Sequence, residues 1–170
     1  MTRPAIRAAG TGDATALAAL RHEFRSDLAS AAESESAFLE RCISWMARRL
    51  AAGSVWRCWV AETGTTAETG TTIVGTVWLQ LIEKLPNPVA EPELHGYVSS
   101  LYVRPSHRGG ALGSALLDAC LQECERLELD TVVLWPTPAS RSLYLRHGFA
   151  VRDDLLVRRL WASPDHRGPG

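Results

Sequence analysis

Hydrophobic and polar positions recur along this chain with two different periods, and the two periods predict its helices and strands. Leu17, Leu20, Phe24 and Leu28 follow one another at intervals of three and four residues, which is typical of the buried face of an α-helix. A similar stripe follows Ser34-Glu35-Ser36. Alternating or continuously apolar segments predict strands instead. The pattern predicts helices after 11, 34 and 111 and from 137 to 147, and strands at 6–9, 55–62, 73–82, 96–103, 131–135 and 149–160.

The order of these elements predicts an α+β fold with a mixed, largely antiparallel central sheet that is flanked by helices. Three strands follow one another without an intervening helix, which differs from the strict alternation of a doubly wound fold. The segment Thr131–Trp135 is apolar throughout and is expected to be a central, buried strand. Thr11 and Thr137 are the expected N-caps of their helices, and Asp153–Asp154 is the expected turn within the last strand segment.

Composition limits the class of protein. The chain has 170 residues, 46% of them hydrophobic, which predicts one domain over 1–162 followed by a disordered tail over 163–170. The formal net charge of -1 gives no positive field for a polyanion, so nucleic acid is not an expected partner. With no apolar run of about 20 residues and no secretory segment, we expect no membrane association and a cytoplasmic location. The four cysteines are spaced unlike a zinc or redox motif, so we expect buried, reduced thiols and no metal site.

The stretch from Leu101 to Ser114 is the segment of the sequence that most clearly indicates a binding site. It reads as a strand end, a proline, a glycine-rich loop and the start of a helix. Such a loop directs backbone N–H groups and the positive end of a helix dipole at one point, which favours a phosphate group. The glycines have neither the spacing nor the lysine of a Walker loop, and they do not match the Rossmann pattern. The segment Arg108-Gly109-Gly110-Ala111-Leu112-Gly113 fits a third pattern, R-x-x-G-x-G with alanine at the first glycine.

That third pattern resembles the pyrophosphate loop of the GCN5-related N-acetyltransferase (GNAT) superfamily. The segment Leu143–Phe149, about 30 residues later, resembles the L-Y-x-x-x-G-F element of the same family, and the likeness extends over residues 5–160. The resemblance implies the GNAT fold and acetyl-CoA as co-substrate. It implies that the pantetheine arm lies along the strand before the loop and that loop amides hold the pyrophosphate; these positions are Leu101, Tyr102, Val103, Arg108, Gly109, Gly110, Ala111, Leu112, Gly113 and Ser114. Alanine disfavours positive φ, so Ala111 requires either a helical φ or a slightly strained loop.

The resemblance also assigns candidate catalytic groups. Tyr144 stands at the usual acid position of the family, and an ordinary phenol is protonated at neutral pH, as the acid that protonates a leaving thiolate must be. Ser140 lies one turn earlier and is expected to orient the phenol or to touch the cofactor. Family members often carry a glutamate on the strand that reads Tyr97-Val98-Ser99-Ser100 in this chain. The candidate base is therefore His95, with Glu93 and Glu83 as alternatives, unless the amine arrives neutral.

The function that these residues imply is transfer of an acetyl group from acetyl-CoA directly to an amine, in the first instance that of a small molecule. A protein N-terminal or lysine acetyltransferase is one alternative, and an acyl-CoA-binding sensor or interaction module without turnover is another. Homodimers are common in the family, so the oligomeric state is left open. The candidate acceptor pocket combines tryptophans with acidic residues that would attract a cationic amine, namely Trp45, Trp56, Trp78, Glu23, Asp27, Glu33, Glu35 and Glu83.

Overall fold

Five strands and four helices make up the part of the chain that the structure, a computed structural model, describes, which is residues 4–26, 32–64, 71–158 and 160. Short 3₁₀ turns at Thr11–Asp13 and Pro105–His107 precede the first and third helices. The elements in chain order are β1 (Ala5–Ala8), α1 (Ala14–Ser26), α2 (Glu35–Arg49), β2 (Trp56–Thr63), β3 (Thr72–Glu83), β4 (Leu94–Val103), α3 (Leu112–Arg126), β5 (Thr131–Val133) and α4 (Arg141–Arg146).

The chain divides into two compact units, one that ends at Pro136 and one that begins at Thr137. The first contains the whole sheet with α1, α2 and α3, and the second contains α4. The single domain expected over 1–162 stays a prediction, and the expected tail at 163–170 lies outside the described residues.

The five strands form one sheet in the order β1-β2-β3-β4-β5. All neighbouring pairs are antiparallel except β4 and β5, which are parallel. This confirms the expected mixed, largely antiparallel sheet. The central strand β3 is buried from Ile73 to Leu79 because helices cover both of its faces.

Alternate residues of the strands pack against different helices. On one face, Trp78 and Tyr102 join a core with Leu17 and Leu20 of α1 and with residues of α2. On the other face lies α3, whose Leu116 comes within 3.1 Å of the position that a Cβ atom on Gly75 would occupy. Because successive strand residues point to opposite faces, the same strands can bury residues on both sides.

The start of α1 differs from the expected one. Asp13, rather than Thr11, closes the turn: its carboxylate accepts a hydrogen bond of 2.8 Å from the Gly10 amide. The Arg7 guanidinium donates to the same carboxylate at 2.8 Å and lowers the pKa of Asp13. The side chain that binds a backbone amide at this helix start is therefore that of Asp13, and the hydroxyl of Thr11, the expected N-cap, does not take this part. The N-cap of α2 is Ser34, whose hydroxyl accepts from the Ala37 amide at 3.3 Å.

Two expected strands differ from the structure. The segment Thr131–Trp135 forms only the three residues of β5, which is the last strand of the described sheet rather than a central one, and the Trp135 side chain is 60% exposed. The segment expected as a strand over 149–160 forms no strand among the described residues, although a bend is present at Asp153–Asp154. A strand requires a partner edge, and an apolar pattern does not specify one.

The second unit contains a short helix with a well-defined end. α4 begins at Arg141 and not at Thr137, because Ser140 and Thr137 exchange side-chain and backbone hydrogen bonds that hold a turn before it. At its end, Gly148 has φ +84 and its amide donates to the Leu145 carbonyl at 3.3 Å.

The Phe149 amide donates to the Tyr144 carbonyl at 3.1 Å, and the two rings lie 5.7 Å apart between centroids. This is a Schellman motif, in which glycine supplies the left-handed conformation and an apolar pair closes the turn. The L-Y-x-x-x-G-F pattern is therefore the sequence of a short helix and of the turn that ends it.

Candidate active site

The glycine-rich loop connects the end of β4 to the start of α3. After Val103 the chain makes the 3₁₀ turn Pro105–His107, and Gly109 then adopts φ +83, a left-handed conformation that glycine takes at little cost. Ala111 has φ -76 and ψ 10 and directly precedes the helix. Of the two alternatives for Ala111 the helical one is correct, so alanine at this position strains nothing.

A row of backbone amides lies at this helix start. The first hydrogen bond of the helix joins the Ala115 amide to the Ala111 carbonyl at 2.8 Å, so the first-turn amides before Ala115 have no carbonyl of α3 to bind. Space is open around Gly109 and Gly110, where an added Cβ would meet no atom within 4 Å. Amides that point outward at the positive end of a helix dipole, with open space in front of them, suit a phosphate or diphosphate group.

The backbone amide of Arg108, which was expected to help hold a pyrophosphate, is already hydrogen-bonded within the protein. Its amide donates to the Pro105 carbonyl at 3.2 Å, so the amide row begins at Gly109. Its guanidinium lies 5.5 Å from the centroid of the Tyr102 ring and donates through Nε to the Val103 carbonyl at 2.8 Å. The side chain thus fastens the loop to the end of β4.

β4 and β5 pair over only three residues, so the part of β4 nearest the loop has no partner in β5. The register joins His95 to Thr131 and Tyr97 to Val133, after which β5 ends and β4 continues to Val103. The predicted pantetheine positions Leu101, Tyr102 and Val103 all lie in this continuation. The structure therefore brings the strand segment and the amide row together at one end of the sheet.

A bulge interrupts β4 just before these residues. The pairing with β3 shifts between the pairs Trp78–Ser99 and Thr76–Tyr102, and Ser100 has φ +52. Such irregular positions redirect backbone groups and are frequent beside active sites. Ser99 is partly buried and lies with Trp78 on the side of the sheet that faces α1 and α2. The side chain that β4 places there is therefore a hydroxyl and not a carboxylate.

His95 lies at the other end of β4. It precedes Ser100 by five residues, which corresponds to about 17 Å along an extended strand. Its Nδ1 atom is 3.5 Å from the carboxylate of Asp130, which also accepts from Lys84 at 3.1 Å. The structure does not bring His95 to the bulge or to the loop.

The alternative bases lie in the same remote region. Glu93 accepts a hydrogen bond from the Asn87 amide at 3.3 Å. Glu83 and Glu93 line a cavity of about 840 Å³ between the β3–β4 connection and the end of α3. Neither carboxylate lies near the end of β4 that leads into the amide row.

Of the residues expected to form the acceptor pocket, the three tryptophans lie together, whereas three of the carboxylates lie beside basic side chains. Trp45, Trp56 and Trp78 contact one another, with ring centroids 5.2 to 6.1 Å apart, and belong to the core beneath α1 and α2. The carboxylates of Glu23, Glu33 and Glu35 lie beside Arg104, Arg41 and His22 respectively. Asp27 lies outside the described residues.

The candidate residues of the second unit are Tyr144 and Ser140. The Tyr144 side chain is 9% exposed and packs on Phe149. The Ser140 hydroxyl lies 2.9 Å from the Thr137 hydroxyl and accepts from the Thr137 amide at 3.0 Å. Ser140 therefore shapes the turn before α4, whereas its expected contact with the phenol or the cofactor stays a prediction.

The cysteines are buried and form no disulfide, as expected: they are Cys42, Cys58, Cys120 and Cys124. Burial raises the pKa of the Cys58 thiol to about 12, so this thiol stays protonated at neutral pH. Within the described ranges no three His, Cys, Asp or Glu side chains are grouped as metal ligands would be. No helix in the same part of the chain is both long and apolar enough to cross a bilayer.

Sequence reasoning missed Arg21, a residue of α1 that reaches the bulge. Its guanidinium donates to the Ser100 hydroxyl at 3.0 Å, across 79 positions of sequence. A signal was present: Arg21 follows Leu17 by four residues and so places a charge on the apolar face of the helix. Two positions on, Glu23 binds Arg104 through two hydrogen bonds of 2.9 and 2.6 Å.

A mixed sheet with an amide row at the start of α3 suits a protein that binds a phosphate-bearing ligand, and comparison with known proteins gives the class. The family model described as acetyltransferase (GNAT) family matches residues 17–149. The chain belongs to this family of acetyltransferases, whose members use acyl-CoA. No curated protein sequence matches the chain.

Solved structures show the same fold. A GCN5-related N-acetyltransferase from Ralstonia eutropha JMP134 is 25% identical, with a TM-score of 0.71 over 92% of this chain and 98% of the other. A predicted acetyltransferase from Clostridium acetobutylicum, solved with acetyl-CoA, is 19% identical, with a TM-score of 0.73 over 92% of this chain and 96% of the other. The expected GNAT fold is thereby confirmed.

Proposed function

We propose that this chain transfers the acetyl group of acetyl-CoA directly to the amine of a small molecule. The observation that supports the proposal most strongly is the row of amides from Gly109 to Ser114, in the loop that follows the part of β4 without a partner in β5. Membership of the GNAT family supports the reaction class. The presence of acetyl-CoA in the Clostridium acetobutylicum relative supports the acetyl donor.

The loop would hold the diphosphate of the co-substrate. Backbone amides bind phosphate oxygens without a side-chain charge, and the dipole of α3 adds to their attraction. Gly109 and Gly110 leave room for the ligand to approach the backbone. The Arg108 side chain, bound to the Val103 carbonyl, keeps the loop against the end of β4.

The continuation of β4 would position the reactive end of the co-substrate. Backbone groups of Leu101 to Val103 would pair with the amide groups of the pantetheine arm, as one strand pairs with another. An amide of this segment would donate to the thioester oxygen, where negative charge develops during attack. The Arg108 guanidinium and the Tyr102 ring close the loop side of this segment.

The reaction moves two protons. The acceptor nitrogen forms a bond to the acetyl carbon and loses a proton, while the carbon–sulfur bond breaks and the sulfur gains one. We assign the second transfer to the hydroxyl of Tyr144, because its segment resembles the family element that carries the acid. Since β4 carries Ser99 and Ser100 and not a carboxylate, we propose that the amine arrives neutral and releases its proton to water.

Thermal melting in the presence of acetyl-CoA, CoA, ATP or NAD tests the binding part of this proposal. A ligand at about 100 times its Kd raises the free energy of unfolding by roughly 2.7 kcal/mol. We expect a rise with acetyl-CoA and CoA and none with ATP or NAD. The absence of any rise with the two CoA compounds would contradict the proposal.

Thiol release in the presence of a panel of amines tests the transfer. Acetyl-CoA-dependent release that requires an amine, with the acetylated amine identified by mass spectrometry, is the expected result. Binding of acetyl-CoA without acetylation of any amine would instead favour a sensor or interaction module.

A further inference from the structure

Arg21 is a partly buried cation that no carboxylate neutralises among the described residues. Its guanidinium donates a hydrogen bond to the hydroxyl of Ser100 and lies 5.8 Å from the centroid of the Phe24 ring. The charge is also within range of the Tyr97 phenol and the Cys42 thiol. Burial raises the pKa of that thiol, so it supplies no negative charge at neutral pH.

Two other arginines of this unit, unlike Arg21, are paired with carboxylates. Arg104, at the end of the same strand, is bound by both oxygens of Glu23, and Arg7 is bound by Asp13. Burial and the nearby Arg25 lower the pKa of Arg21, so its charged form is held at a cost. A guanidinium carries five N–H donors, and the contact with Ser100 uses only one of its nitrogens.

The position of Arg21 relates this charge to the proposed reaction. Its partner Ser100 is the bulge residue with φ +52, and it directly precedes the segment proposed to hold the pantetheine arm. Tyr97 is the last residue of β4 that pairs with β5. The guanidinium therefore lies beside the part of β4 that follows its last pairing with β5, on the face of the sheet that α1 covers.

We propose that Arg21 binds a carboxylate of the acceptor, so that the acceptors are amino carboxylates. This inference rests on the proposed function and names its substrate class. The planar fork of a guanidinium matches the two oxygens of one carboxylate, and a single unit charge balances it.

The charge of the surrounding residues supports an acidic acceptor. An amine without an acidic group would meet an uncompensated positive charge at Arg21. The described carboxylates Glu23, Glu33 and Glu35, which could have attracted such an amine, each lie beside a cationic or basic side chain. The products would be N-acetyl amino carboxylates and CoA, with the carboxylate unchanged by the reaction.

A binding experiment separates this inference from the proposed function. Wild-type protein is saturated with CoA, which by itself must raise the melting temperature if the proposed function holds. The standard L-amino acids other than aspartate and glutamate, and β-alanine, are then added, each compared with its carboxamide, which keeps the amine and the side chain but carries no carboxylate. We expect a further rise with at least one amino acid and a much smaller one with its amide.

Variants identify the residue responsible. Arg21→Gln keeps a donor for Ser100 but removes the charge, Arg21→Lys keeps the charge but not the fork, and Arg25→Gln removes an exposed charge of the same helix as a control. Loss of a hydrogen bond to a charged group corresponds to about 10- to 150-fold weaker binding. We expect Arg21→Gln to raise the KM for the amino acid by that factor and to leave CoA binding unchanged. Arg21→Lys should fall between wild type and Arg21→Gln.

Two results would overturn the inference while CoA binding stands. One is equal binding or acetylation of amino acids and their amides, or no response to any amino acid. The other is an Arg21→Gln variant that discriminates between acid and amide as well as the Arg25→Gln control does. A wild-type protein that CoA fails to stabilise would count against the proposed function instead.

Discussion

Replacing Gly109 by alanine isolates the contribution of loop conformation to co-substrate binding. Gly109 has φ +83, and an added Cβ would meet no atom within 4 Å, so the cost of the substitution is conformational and not steric. An L-residue in the left-handed region costs roughly 1–2 kcal/mol. For a chain of this length that loss lowers the melting temperature by about 2 to 8 °C.

The same substitution should weaken binding of CoA. The loop can relieve the strain by turning the backbone at Gly109 to negative φ, which redirects the adjacent amides away from the diphosphate. Each hydrogen bond lost to a charged group contributes about 1.5–3 kcal/mol, so Kd should rise by about 10- to 150-fold. Isothermal titration with CoA measures Kd, and thermal melting without ligand measures stability.

Gly110→Ala is the matched control. Gly110 lies outside the left-handed region, and an added Cβ again meets nothing within 4 Å. Its stability without ligand should therefore change by less than about 0.5 kcal/mol. If Gly109→Ala is as stable as Gly110→Ala and binds CoA as tightly as wild type, the amide row does not depend on the conformation at Gly109 and the reasoning is refuted.

Three further outcomes follow from named contacts. Tyr144→Phe should lower kcat by about 100-fold or more with little change in the Kd for acetyl-CoA; an unchanged kcat would remove Tyr144 from the acid role. Asp13→Asn should destabilise the protein by about 0.5–2 kcal/mol at pH 7. Because Arg7 lowers the pKa of Asp13, that carboxylate stabilises the fold above its unfolded pKa and loses the effect as pH falls, so wild type and variant should converge in melting temperature below about pH 3.8. Cys58 should resist alkylation in native protein at pH 8 and react after denaturation, as mass spectrometry would show, because burial raises its pKa to about 12.

The contacts between α1 and β4 give this helix a part in the site beyond packing. Arg21 and Glu23 lie two positions apart and bind Ser100 and Arg104, on either side of the segment that would hold the pantetheine arm. A change in the position of α1 would therefore alter both the proposed carboxylate contact and the end of β4. Loss of the Glu23 contact is expected to affect the end of β4, whereas loss of the Arg21 charge is expected to affect acceptor binding.

Local sequence was sufficient wherever a feature depends on a few consecutive residues. The glycine-rich loop could be recognised because left-handed turns and helix starts have residue requirements within one segment, as at Gly109. The Tyr144-to-Phe149 pattern could be recognised for the same reason, since it corresponds to one Schellman turn. The conformation of Ala111 could not be predicted from sequence. Alanine adopts a helical φ readily and disfavours a positive φ without forbidding it, so both conformations were compatible with the residue.

Residue patterns within single segments were enough to predict helices α1 to α3, strands β1 to β4 and the glycine-rich loop that carries the amide row. The folded structure established which side chains from distant segments meet. It placed Arg21 beside Ser100, left His95 at the far end of β4, and made β5 a three-residue strand at the end of the sheet order. The physical reason is that backbone propensity acts between neighbours in sequence, whereas the pairing of strand edges and of buried charges depends on groups that approach each other only once the sheet has formed.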